Sequence, residues 1–110
     1  MAVDGYRARI AYDPKLDQFR GEILGINGSA DFYGKSPPTL RAEFRKSLKV
    51  FLEVCAEQGL HPVKDYSGKF NLRIPPGLHS EIAVRAKAED KSINQWVWEV
   101  LDKSVAGYNK

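Results

Sequence analysis

The stretch GKFNLRIPP, residues 68–76, decides how the C-terminal third of the chain must fold. Phe70, Leu72 and Ile74 alternate with Lys69, Asn71 and Arg73. Strict alternation predicts a strand with one apolar face and one face of hydrogen-bonding side chains. Pro75 and Pro76 stop it, and helical spacing starts at once, with Leu78, Ile82 and Ala86 recurring in PGLHSEIAVRAKAED. A second helix is predicted in KSINQWVWEVLDKSV, with Ser92 as its N-cap and Ile93, Trp96, Val97, Val100 and Leu101 as its apolar side. No hairpin turn precedes the strand and two helices follow it, so its neighbours in sequence offer no partner strand.

A β-α-α unit of this size cannot bury a stable core by itself. Two bare strand edges would also invite aggregation. A second copy of the chain resolves both difficulties. Two strands related by a two-fold axis pair antiparallel, and their apolar side covers four helices. The dimer core would then comprise Phe70, Leu72, Ile74, Ile82, Ile93, Val97 and Leu101. The opposite side shows Lys69, Asn71 and Arg73 twice. Such a ribbon fits the major groove of B-DNA, where Arg and Lys donate to guanine and Asn pairs with adenine. The start of the second helix, at Ser92, Ile93 and Asn94, supplies backbone N–H groups and a positive dipole end suited to a DNA phosphate. The alternative reading docks the strand on the preceding domain's sheet, with its polar side merely solvated.

Upstream, YRARIAY (6–12) alternates Tyr6, Ala8, Ile10 and Tyr12 against Arg7, Arg9 and Ala11. The turn-rich DPKLDQ leads to a second strand in FRGEILG (19–25), and a third is expected around Asp31–Tyr33 after an Asn-Gly turn signal. Ser36 then suits an N-cap with Pro37 at the first helical position. Leu40, Phe44, Leu48, Phe51 and Cys55 form one face of a long helix that Gly59 ends. LHPVKDYSG (60–68) offers a short fourth strand and then a connector. The fold class expected is α+β, with a domain boundary in DYSG.

These segments together resemble the HicB family of bacterial type II antitoxins. The resemblance runs from about Tyr6 to Val105 and rests on YRARIAYD, F-x-G-E-I, SPPTL…F…SL…FLE-C…G and YSGKFNLRIPPGLHSEIAVRAKAEDKSINQWV. The last of these is similar to Arc-type ribbon-helix-helix repressors, with FNLR matching the strand. The resemblance implies a partial RNase H-like β-β-β-α(-β) domain at residues 1–66 and a ribbon-helix-helix dimerisation domain at residues 67–110. It implies that the first domain binds a HicA-type toxin, a small ribonuclease with a double-stranded-RNA-binding-like fold, and masks its catalytic histidine or RNA surface. It implies that the second represses the shared operon by binding operator double-stranded DNA. In that strand position the family reads bases, which assigns Lys69, Asn71 and Arg73 here. A homodimer is expected, with higher-order assembly through the N-domains or with toxin. A stand-alone transcription factor with a ligand-binding or assembly N-domain is the alternative.

The bulk properties allow this without demanding it. In 110 residues the formal net charge is +3, and the two thirds before residue 69 carry ten basic and nine acidic groups. No apolar run reaches the length of a membrane span, and MAVDGYRARI has no apolar core of a secretory signal, so a cytoplasmic protein without membrane contact is expected. The lone cysteine, Cys55, falls on the apolar helix face and reads as a buried structural thiol. His61 and His79 have no second ligand at metal spacing. Two-metal nuclease chemistry needs converging carboxylates. Asp4, Asp13, Asp17, Glu22, Asp31, Glu43, Glu53, Glu57 and Asp65 are scattered over turns and helix faces. No catalysis, metal or cofactor is expected. Trp96 and Trp98, two apart on one helix, cannot both face one core.

Overall fold

The computed structural model describes residues 1–107. The chain divides into two compact units, Met1–Gly68 and a second that begins at Lys69.

The first unit is a four-stranded antiparallel meander, β1 (Ala2–Val3), β2 (Tyr6–Asp13), β3 (Gln18–Ile23) and β4 (Asp31–Gly34), in that spatial order, followed by the helix α1 (Pro37–Gln58). The alternation in YRARIAYD becomes β2, and its register pairs Ala8 with Ile23 and Ile10 with Gly21. Strand β1 was not expected from the sequence. It pairs Val3 with Tyr6 around Asp4 and Gly5, whose φ values are 51° and 82°. Two positive φ angles make the type I′ turn that suits an Asp-Gly hairpin. In the next turn the Asp13 carboxylate accepts from the Lys15 amide at 2.9 Å, and the Tyr12 hydroxyl donates to Asp17 at 2.6 Å.

The helix covers one sheet face. Val3, Ala8, Ile23, Ile26 and Phe32 meet Leu40, Phe44 and Leu48 in one buried cluster. Phe44 is wholly buried and stacks on Phe32 at 4.8 Å between centroids. Burying a side chain of this size contributes about 1.5–3 kcal/mol. Two glycines permit that closeness. A Cβ on Gly21 would stand 2.1 Å from the Phe32 ring, and one on Gly34 would stand 2.9 Å from the Leu40 backbone nitrogen. The α1 caps follow the sequence. The Ser36 hydroxyl accepts from the Thr39 amide at 3.3 Å, and Gly59 ends the helix at φ 67°.

The fourth strand expected in 60–68 is reduced to one antiparallel bridge between Ile26 and Val63. The Asn27 amide donates to Pro62 O at 2.8 Å, and the Lys64 amide to Gly25 O at 3.1 Å. Pro62 has no N–H to extend the ladder. The arrangement is thus β-β-β-β-α closed by a bridge, where β-β-β-α(-β) was expected. The α+β class stands.

The second unit holds α2 (Pro76–Ala88) and α3 (Ile93–Ser104). Ala86, 1% exposed, is the one residue buried among those described there. Among the described residues no helix is long and apolar enough to cross a membrane.

Candidate nucleic-acid interface

The start of α3 is held by the turn before it. Asp90 takes the left-handed conformation at φ 56°, and the Lys91 amide donates back to Ala86 O at 2.8 Å. The Lys91 ammonium then reaches across the turn. It donates to Glu99 at 2.5 Å and lies 3.8 Å from a Glu89 oxygen. The Trp96 indole N–H donates to Glu89, and the Gln95 amide side chain to Glu99 at 3.4 Å. The hydrogen bond to Glu99 raises the Lys91 pKa above its ordinary value, and the same bond from Lys91 lowers that of Glu99. These groups fasten the first two turns of α3 to the end of α2.

The Ser92 hydroxyl accepts from the Gln95 amide at 3.0 Å, as an N-cap should. No acidic side chain occupies the first turn of α3, so the positive end of its dipole is uncompensated. The amides of Ile93 and Asn94 stand at the positions that lack intrahelical acceptors. The structure therefore brings Ser92, Ile93 and Asn94 together at one helix end, with Asn94 exposed.

Residues 69–75, between Gly68 at φ 84° and the α2 start, form no strand. A strand exists only with a ladder partner, so alternation in a single chain yields no assigned strand here. Lys69, Asn71 and Arg73 are exposed. Their apolar neighbours are exposed too, with Phe70 at 74% and Leu72 at 62%. Of the other residues expected in an apolar core, Ile74, Ile82 and Val97 are half-buried, while Ile93 and Leu101 are exposed. Trp96 is half-buried and Trp98 is 61% exposed, so the two tryptophans do point to different surroundings.

The brace of Glu89, Lys91, Glu99 and Trp96 was not foreseen. Its one sequence signal is Lys91 immediately before the N-cap, with Glu99 two helical turns beyond that cap. Several of the other candidate side chains have local partners. Asp31 pairs with Arg20, Glu43 with Lys46, and His61 Nδ1 lies 3.0 Å from Val63 O. Glu22 sits opposite Arg9 in the sheet register. Cys55 is free and buried. Among the described residues no group of three or more His, Cys, Asp or Glu side chains could hold a metal ion.

Compared with known proteins, residues 51–101 match the model of the HicB family. No curated protein and no solved structure matches the chain. The match spans the end of α1, the connector, α2 and most of α3.

Proposed function

We propose that the chain is a HicB-type antitoxin that binds a HicA-type toxin through Met1–Gly68 and operator DNA through a dimer of the unit beginning at Lys69. One observation carries the DNA-binding half. The second unit has two helices but, among the described residues, a single buried one, and it leaves alternating apolar side chains on residues 70–74 largely in water. Folding cannot offset the conformational entropy of about 40 residues with so little burial. A second copy supplies the missing burial, and a two-fold axis pairs the two 69–74 segments as an antiparallel ribbon. Lys69, Asn71 and Arg73 then face the major groove, each good contact discriminating bases by about 1–3 kcal/mol. Two α3 N-termini, held in place by the Lys91 brace, anchor the flanking phosphates at Ser92, Ile93 and Asn94.

The first unit has a complete core of its own. It is free to act as a separate binding module, and toxin capping is the role that the HicB match favours for it. The toxin-contacting residues are not assigned.

The test is co-expression with the product of the adjacent gene, followed by binding to the upstream DNA. Asn71→Ala and Arg73→Ala should each lose specific operator binding and still neutralise the toxin. Equal loss of both activities in folded protein would refute the division of labour.

A further inference from the structure

Half of the ten basic groups in Met1–Gly68 crowd into residues 35–49, as Lys35, Arg41, Arg45, Lys46 and Lys49, with Glu43 the one acidic group among them. The remainder of α1 carries Glu53 and Glu57 and no base. Arg41, Arg45 and Lys49 recur at every fourth residue, so they stand in line along one flank of the helix at intervals of about 6 Å. All three are exposed. Their flank is the one beside β1. The Arg41 guanidinium donates to Ala2 O at 3.3 Å, and Arg45 and Lys49 line a groove of about 510 Å³ with Asp4 and Glu53. Among the described residues neither Arg45 nor Lys49 is ion-paired, whereas Lys46, on the other flank, is bonded to Glu43.

This order of charge works against the helix. Arg41 and Arg45, Arg45 and Lys49, and Glu53 and Glu57 are like-charged pairs four residues apart, which repel. Cations toward the start and acids toward the end also oppose the helix dipole. Helix stability therefore does not account for the stripe, and a ligand does. Cations at this interval match successive phosphates along a nucleic-acid strand, and Arg adds the forked donors that suit a phosphate. A protein partner would want an apolar or aromatic anchor at its centre. On this flank Leu48 is buried and Leu52 half-buried, while the exposed Val50 and Val54 line the groove on the other flank.

We infer that the Arg41–Arg45–Lys49 stripe is a second contact to duplex DNA, one that holds about three phosphates without reading sequence. The choice of DNA rests on the reading of the second unit as an operator binder. Binding of the full chain to a random-sequence duplex over a series of salt concentrations tests the stripe. Each neutralised phosphate contributes about 0.9 to the slope of log affinity against log salt. Arg45→Gln should lower the slope by about that amount for each stripe engaged. The triple variant Arg41→Gln, Arg45→Gln, Lys49→Gln should weaken binding roughly tenfold or more at about 0.1 M salt. Lys46→Gln, the same change of charge on the other flank, should leave the slope unaltered. Asp4→Asn keeps a residue that a type I′ turn accepts and removes the acid beside the stripe, so it should tighten binding. The triple variant should melt no lower than wild type, since its like-charge pairs are gone.

A triple variant with the wild-type salt slope would overturn the inference, as would a slope lowered equally by Lys46→Gln. So would a triple variant impaired only toward single-stranded RNA of the same length, or only toward a co-expressed protein partner. Failure of the ribbon would look different. The stripe variants should weaken upstream and random duplexes by the same factor, whereas Asn71→Ala should remove only the preference between them. An Asn71→Ala chain that kept its preference would count against the ribbon and leave the stripe standing.

Discussion

Truncating Leu72 to Ala gives the sharpest test of the proposed dimer, because the single chain already leaves that side chain in water. Leu72 is 62% exposed, so the substitution costs an isolated chain little. If the 69–74 segments pair, most of that exposed area becomes buried at the axis. Leu→Ala removes about 2.4 kcal/mol of transfer free energy when burial is complete, at roughly 0.8 kcal/mol per methylene-sized group. Scaled by the exposed fraction, the loss is about 1.5 kcal/mol per copy. The two-fold axis doubles it to about 3 kcal/mol per dimer. The dissociation constant should therefore rise on the order of a hundredfold. Melting of the second unit, followed by Trp96 and Trp98 fluorescence, should become more strongly concentration-dependent, since association and folding are linked there. The melting of Met1–Gly68 should not move. A dissociation constant within twofold of wild type, in a folded chain, would show that Leu72 is not buried between copies. The ribbon would then fail with it.

Three further expectations test other parts of the structure. Gly21→Ala drives a methyl into the Phe32 ring and should destabilise the first unit by about 1–3 kcal/mol in chemical denaturation, with Phe32→Leu in the same chain recovering part of the loss. Raised Lys91 and lowered Glu99 pKa values mean that their bond stabilises the α2–α3 turn from above the ordinary carboxylate range up to the ordinary lysine range. The contribution is lost as pH falls through the depressed Glu99 value, so Glu99→Gln should flatten the acid limb of a melting-temperature profile of the second unit. Ser92→Ala should cost about 1 kcal/mol of α3 stability through the lost cap and weaken operator binding evenly across DNA sequences, as a filter-binding comparison of specific and random duplexes would show.

Much of the first unit was legible because its signals are local. The alternation of Tyr6–Tyr12, the Ser36-Pro37 start of α1 and its Gly59 stop each act within a few residues, and each appears where it was read. Strand β1 was missed although Asp4-Gly5 carries the signal of a two-residue hairpin turn. Only one residue pair on either side of that turn is needed to make it a strand, too short for alternation to register. The fourth strand was over-read for the opposite reason. Apolar Val63 was visible, but the missing N–H of Pro62 limits pairing to one bridge. The Lys91–Glu99 brace depends on how two helices meet, and spacing within one helix cannot report that.

The second unit was legible in a different sense, since its sequence describes a surface that a single chain does not complete. Phe70 and Leu72 carry the period of a half-buried strand and lie in water. A solvated strand would gain nothing from keeping that period strictly over three pairs of residues. Apolar side chains at 70, 72 and 74 make sense only where something covers them, and the residues between them stay outward only if that cover lies on one side. Under the proposed function a twin segment satisfies both, and it couples DNA reading to association. In that proposal the polar comb acquires a fixed spacing only when two chains meet, so the ratio of bound to free operator should follow the square of chain concentration at dilutions where the dimer dissociates.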